Sequence, residues 1–250
     1  MTPEYRESVL ARQEPSLAPV SSLPLAVLAY NAIRRAILSS EFRFGERLPE
    51  AAISSSLGMS RQPVREALIM LRNDGLVVER PRLGTFVCEM SVRDFIDLYN
   101  IRIPLEVMAT RLAVRTGADL SAVEAVLADM KDAQDSSSAL DVADISDLEY
   151  RFHREVFVAS GNVHLLRVFE SLSGSMQLAL TLDNSVYEGT ATTVEEHVPL
   201  VAALRSGVER VAADAMRDHI VASFLPVVTR LKGDINDIVW PDLQPVSSSL

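Results

Sequence analysis

The chain has one cysteine in 250 residues, Cys88. That excludes an internal disulfide framework and any cysteine-rich zinc module, and thiol catalysis would need a base beside that one residue. Cys88 lies in TFVCEM, a setting that reads as strand packing rather than chemistry. No run of 18 uncharged apolar residues exists, so nothing in the sequence is built to span a bilayer. The first twenty residues, MTPEYRESVLARQEPSLAPV, mix acids and prolines and lack the apolar centre of a secretory signal. A cytoplasmic protein with no membrane partner is the expectation. Internal repeats are lacking too, and after Met90 there is almost no strand pattern.

What is present is an ordinary globular composition, 48% hydrophobic and 23% charged. The length suits two domains, each with its own core. The formal net charge of −10 is unevenly placed: residues 20–90 carry +2, residues 1–19 carry −1, and residues 91–250 hold −11. Such asymmetry can mark a nucleic-acid-binding segment joined to something else.

The less acidic segment has its own pattern. From Leu23 to Ser39, apolar residues at 25, 28, 29, 32, 33, 36 and 37 form a helical stripe behind Pro24. EAAISSSLG reads as a short helix stopped by Gly58. Ser60 is placed to cap a third helix, in which Pro63 is tolerated in the first turn and Val64, Leu68 and Leu71 share one face until Gly75. Two short β-type runs around a turn with Pro81 and Gly84 then predict a hairpin. Helix, turn, helix and hairpin predict an N-terminal winged helix-turn-helix over residues 21–90. Beyond it, helical patterns near 91–116, 119–134, 139–159, 162–183, 191–206 and 208–232 predict an antiparallel all-α bundle over 91–232, with Pro104 able to kink or split its first helix. Residues 1–20 and the tail 233–250 are expected to be disordered. The fold class is mainly α.

Arg61 and Arg65 lie about 40° apart on the third helix. In isolation a solvated helix face is the simpler explanation, and the hairpin and preceding short helix reverse that preference. In a helix-turn-helix, however, Ser60, Arg61, Gln62 and Arg65 fall at the end of the second helix that enters the major groove. There arginine can donate two bonds to guanine, glutamine can pair with adenine, and serine can reach a phosphate.

The run GERLPEAAISSSLGMSRQPVREALIMLRNDGLVVERPRLGTFV, and above all SRQPVREAL, resembles the DNA-binding domain of GntR-family transcription regulators. The resemblance covers residues 23–88. It departs where Ala51 replaces a DNA-contacting arginine common in the family, and where SSEFRFGE lacks a usual glycine and proline. It implies that Arg61 and Arg65 carry the main DNA contacts, with Arg82 and Gly84 of the wing near the backbone or minor groove. It also implies a homodimer on a palindromic double-stranded operator.

All four histidines lie in the acidic segment, three of them, His153, His197 and His219, at suggestive places, and Glu149 precedes His153 by four residues, so the two share a helix face. Such pairs also arise by chance. Residues 91–232 resemble the FCD domain that follows this kind of GntR module, down to histidines 22 positions apart at 197 and 219. The resemblance implies Glu149, His153, His197 and His219 as metal ligands, with glutamate where aspartate is usual. That donor set suits Zn first, then Ni or Mn. Arg102 and Glu106 match the family's R-x-x-x-E, which implies Arg102 as the partner of an acidic effector; a surface i,i+4 ion pair is the other reading. His164 has no counterpart and is expected to be structural. The function expected is therefore a transcription regulator, a repressor, governed by a small organic acid at a metal-containing pocket. The alternatives are a metal-responsive or structural site without an organic effector, or a metal-dependent hydrolase, for which the sequence offers no convincing general base.

Overall fold

A computed structural model of the chain describes residues 24–135, 141–184 and 191–233. The expectations for residues 1–20 and for 234–250 fall outside the described residues. Helix α1, Leu25–Leu38, buries Ala29, Ile33, Ile37 and Leu38 along its stripe. Helix α2, Glu50–Leu57, ends at Gly58, whose φ of 62° is a left-handed conformation that glycine adopts without steric cost. Helix α3, Arg61–Asn73, buries Pro63, Val64, Ala67, Leu68 and Leu71 against α1. Strands β1, Val77–Arg80, and β2, Gly84–Val87, pair antiparallel with Val77 opposite Val87 and Arg80 opposite Gly84. Residues 46–48 lie along the free edge of β2 through Leu48 N–H to Thr85 O and Val87 N–H to Glu46 O, both 2.8 Å. Cys88 follows β2 directly, half-buried, and burial pushes its thiol pKa up, away from the reactive thiolate.

Four residues separate this winged helix-turn-helix from the bundle. The bundle comprises α4 (Val92–Thr116), α5 (Ser121–Asp135), α6 (Val142–Ala159), α7 (Val163–Ser171), α8 (Ser173–Asn184), α9 (Ala191–Arg205) and α10 (Glu209–Arg230). A reciprocal capping box of Ser91 and Asp94 starts α4, and the Asp141 side chain caps α6. Pro104 does not split α4; its ring sits on the exposed face of an unbroken 25-residue helix. Antiparallel packing of α4 on α10 centres on Phe95, Tyr99 and Phe224, with ring centroids 4.5 to 5.5 Å apart.

The single helix expected over 162–183 is two helices, α7 and α8, broken at Leu172. The break lies two residues before a close contact with the other domain. A Cβ at Gly174, in the first turn of α8, would collide with the carbonyl oxygen of Asp74 at the end of α3, so bare backbone meets backbone there. Farther along α8, Leu178 is buried in the core of the winged domain, as is Ala143 of α6. Around this apolar seam Arg34 of α1 holds both carboxylate oxygens of Asp147 and donates to Gln177 Oε1 at 3.2 Å. Arg35 donates to Asp141 and Asp144, each at 2.7 Å. The two domains thus share a continuous seam of α1 and the α3 terminus against α6 and α8.

Candidate nucleic-acid interface and candidate metal centre

Ser60, Arg61, Gln62 and Arg65 are all exposed around the start of α3. Cations at a helix N-terminus oppose the helix dipole at a cost of about 0.3–1 kcal/mol each, so helix stability does not explain them. Ser60 stands at the N-cap with extended backbone, but the expected capping bond is not made, and the first-turn N–H groups of α3 have no side-chain cap. An open helix N-terminus flanked by guanidinium groups is a ready phosphate cradle. Among the described residues Arg61 makes no ion pair, whereas Arg65 is held by Glu50 of α2 at 3.0 Å and Gln62 donates to Glu66 at 2.7 Å. Across the groove beside α3 stands the wing. Its tip residue Arg82 is exposed with φ of 64°, and Gly84 has φ of 104°. The Arg47 guanidinium lies 3.4 Å from where a Gly84 Cβ would be, an ordinary contact, so it is the backbone conformation of Gly84 that calls for glycine. Arg47 is a basic group of this face that the sequence pattern did not single out; its place follows from the 46–48 edge on β2.

In the bundle, His153 of α6, His197 of α9 and His219 of α10 converge, their candidate ligand nitrogens all within 4.8 Å of one another. His153 and His197 are buried, and His219 is the less enclosed of the three. His197 Nδ1–H donates to the Thr193 carbonyl at 2.6 Å, which leaves the Nε2 lone pair buried with no partner. A buried unpaired acceptor costs about 1–3 kcal/mol and points to a missing ligand. Burial first, then neighbouring positive charge, lowers the pKa of His197 to about 3 and takes that of His219 well below its ordinary value, so both are neutral and ligand-competent at neutral pH. Glu149 is buried one turn before His153 and lies outside this three-nitrogen group. His164 is exposed on the first turn of α7, apart from the cluster.

The Arg102–Glu106 pair is no surface pair: the two side chains are 1% and 0% exposed. Arg102 Nε donates to Glu106 at 2.6 Å and its Nη1 to the Tyr99 hydroxyl at 3.0 Å. The other Glu106 oxygen accepts from His153 Nδ1–H, and Arg102 Nη2 donates to His153 Nε2 at 2.9 Å. Guanidinium can only donate, so Nε2 is the acceptor and the proton of His153 sits on Nδ1. Burial works against the ionised Glu106 carboxyl, but His153 and the Arg102 guanidinium outweigh it and bring its pKa down to about 2. Burial, reinforced by Arg102 and opposed by Glu106, lowers that of His153. The site is a buried carboxylate and guanidinium wired to neutral imidazoles, and three imidazole nitrogens are a donor set that Zn, Ni or Mn accepts.

Comparison with known proteins bears on both sites. Residues 25–87 match the model of bacterial regulatory proteins of the gntR family, and residues 97–222 match the FCD domain. The chain is 30% identical over 203 residues to a probable D-xylose utilization operon transcriptional repressor of Paenarthrobacter nicotinovorans, spanning 81% of this chain and 88% of that protein. It is 29% identical over 201 residues to the Nta operon transcriptional regulator of Aminobacter aminovorans, spanning 80% and 93%. In fold it is similar to a crystal structure described as a GntR transcriptional regulator from Rhodococcus sp. RHA1, with a TM-score of 0.65, 21% identity and coverage of 82% and 97%.

Proposed function

The chain belongs to the gntR family of bacterial regulatory proteins, with an FCD domain behind its winged helix, and is a DNA-binding transcription regulator rather than an enzyme; on that premise we propose that it is a cytoplasmic homodimeric repressor whose operator affinity is set by a small carboxylate bound at a metal-holding pocket of the bundle. Arg61 reads guanine, Gln62 and Arg65 contact neighbouring bases or phosphates, Ser60 holds a phosphate, and Arg82 with Gly84 brings the wing to the adjacent backbone. His153, His197 and His219 are the imidazole ligands, with Glu149 as the carboxylate of the set. A divalent ion held there, Zn foremost and otherwise Ni or Mn, is a Lewis acid that takes a carboxylate oxygen at an open position. Arg102 supplies the second handle for the same carboxylate. Among the described residues no helix is long and apolar enough to cross a membrane.

The observation that carries the pocket is the buried, unpartnered Nε2 of His197 amid two further imidazoles. The helix α6 that presents His153 also presents Asp141, Asp144 and Asp147 to Arg34 and Arg35 of the winged domain. Ligand binding therefore acts on the seam through one element, and the conformer that binds the effector more tightly gains population by about 1.4 kcal/mol for each tenfold loss of operator affinity.

Thermal unfolding against a panel of small organic acids, before and after chelation and with metal restored, tests this reading. A stabilisation by one acid that vanishes on chelation and returns with the metal is expected. Stabilisation by metal alone, with no acid adding to it, would instead mean a structural or metal-sensing site.

A further inference from the structure

We propose that the cleft between α3 and the wing is a channel for one sugar-phosphate strand of the duplex, with Arg72 as a further backbone contact, and that Glu50 and Glu79 stand in for phosphate in the free protein. The inference rests on the placement of α3 and the wing proposed above. With the start of α3 in the major groove and the wing tip on the adjacent backbone, the strand that divides the two grooves has to cross the space between them. That space is a cleft of about 350 Å³, whose lining includes Glu50, Arg65, Ile69, Arg72, Glu79 and Thr85.

Arg65 and Arg72 are seven residues apart on α3, two turns or about 10.5 Å along one face, and both are exposed. Each is met by a carboxylate from another element. Glu50 of α2 takes the Nε and Nη2 edge of Arg65, at 3.3 and 3.0 Å, and Glu79 of β1 accepts from Arg72 Nη1 at 2.6 Å. Exposed ion pairs of this kind add little to stability, so they also open at little cost. An incoming phosphate offers the arginines the same charge-assisted bonds, and the displaced Glu79, exposed on its strand, returns to water. Between the arginines Ile69 is 43% exposed, an apolar floor on which a deoxyribose face can rest. Thr85, opposite Glu79 in the hairpin register, brings a hydroxyl to the far wall.

Two arginines and two glutamates leave the cleft of the free protein without net charge. At a distance it therefore draws in no phosphate, unlike Arg61 and Arg82, which make no ion pair among the described residues. Arg65 and Arg72 contribute only in the seated complex, where the strand touches them and the carboxylates swing aside. Glu50 and Glu79 are in this sense specificity-determining. They withhold cationic charge from loosely attached DNA, whose affinity comes from phosphate attraction.

The test uses the full-length protein, a duplex that it selects from a random pool, and a random-sequence duplex of equal length, each titrated over a series of salt concentrations. Arg72→Gln is expected to bind the selected duplex several-fold more weakly, with the slope of log K against log salt shallower by about one. Glu79→Gln is expected to bind the random duplex several-fold more tightly and with a steeper slope, which narrows the gap between the two duplexes. Unchanged affinity and slope in both variants would overturn the channel and leave the reading by Arg61 standing. Weaker binding by Glu79→Gln would overturn it too, and recovery in the exchanged pair Arg72→Glu/Glu79→Arg would then make the ion pair a strut between α3 and the wing. Failure of the wild-type protein to prefer any duplex would overturn the placement of α3 together with the channel.

Discussion

Of the two arginines at the start of α3, Arg61 makes no ion pair among the described residues and Arg65 is already shared with Glu50. Arg61 is therefore the one able to turn a pair of its guanidinium donors on a base, and Arg61→Ala should weaken specific operator binding by about 1–3 kcal/mol in a salt-controlled titration. Unchanged affinity would remove it from the interface. The bundle's histidines predict an acid sensitivity. The folded pKa of His197, about 3, lies below the unfolded value near 6.5. Its contribution is complete above pH 6.5, where neither state takes up the proton. It is lost as pH falls through the window toward 3, by about 1.4 kcal/mol per pH unit, because only the unfolded chain binds the proton. Chelated protein should thus unfold more readily in urea at pH 5.5 than at pH 7.5, and His197→Leu should flatten that difference; an equally steep loss in the variant would assign it to other groups. At this scale the three histidines were legible from their spacing and family likeness. The Glu106 contact with His153 was not, because it joins residues 47 apart and depends on how α4 packs against α6. Nor could an i,i+4 arginine–glutamate spacing alone say that the pair faces the interior.

Helix α6 is the element on which the regulatory reading turns. Its N-cap and first two turns carry the aspartates that hold Arg34 and Arg35, and its fourth turn carries His153. Breaking the seam without touching the pocket should separate the two functions. Arg34→Ala is expected to leave metal content and effector-induced stabilisation intact while reducing the effector's influence on operator affinity severalfold, as read by operator titration with and without the acid. If that influence is undiminished, the coupling runs elsewhere. Most helices could be read from apolar periodicity and glycine stops, as α1, α2 and α4 show. The α7–α8 break could not, since nothing in ESLSGS announces that Gly174 must meet the Asp74 backbone. Likewise α4 is not split at Pro104, which lies exposed on an otherwise well-packed helix.

For the whole molecule, the split of charge places an acidic bundle behind a slightly basic reading head, which restrains nonspecific attachment to nucleic acid while leaving local phosphate contacts intact. The two-domain division was legible in the sequence as that charge boundary and as the end of strand pattern near Met90. Its tight closure was not, because Leu178 and Ala143 look like ordinary bundle residues until they are seen inside the neighbouring core. Bare backbone at Gly174 against Asp74 fixes the trailing end of α3 to the bundle rather than to a swinging linker. In the proposed homodimer the bundles then act as a ruler, and the spacing of the two half-sites is set by protein, not by DNA. One base pair inserted between the half-sites, which rotates one by about 34° around the duplex, should cost much of the binding in a gel-shift series. An operator tolerant of such insertions would mean that the ruler bends.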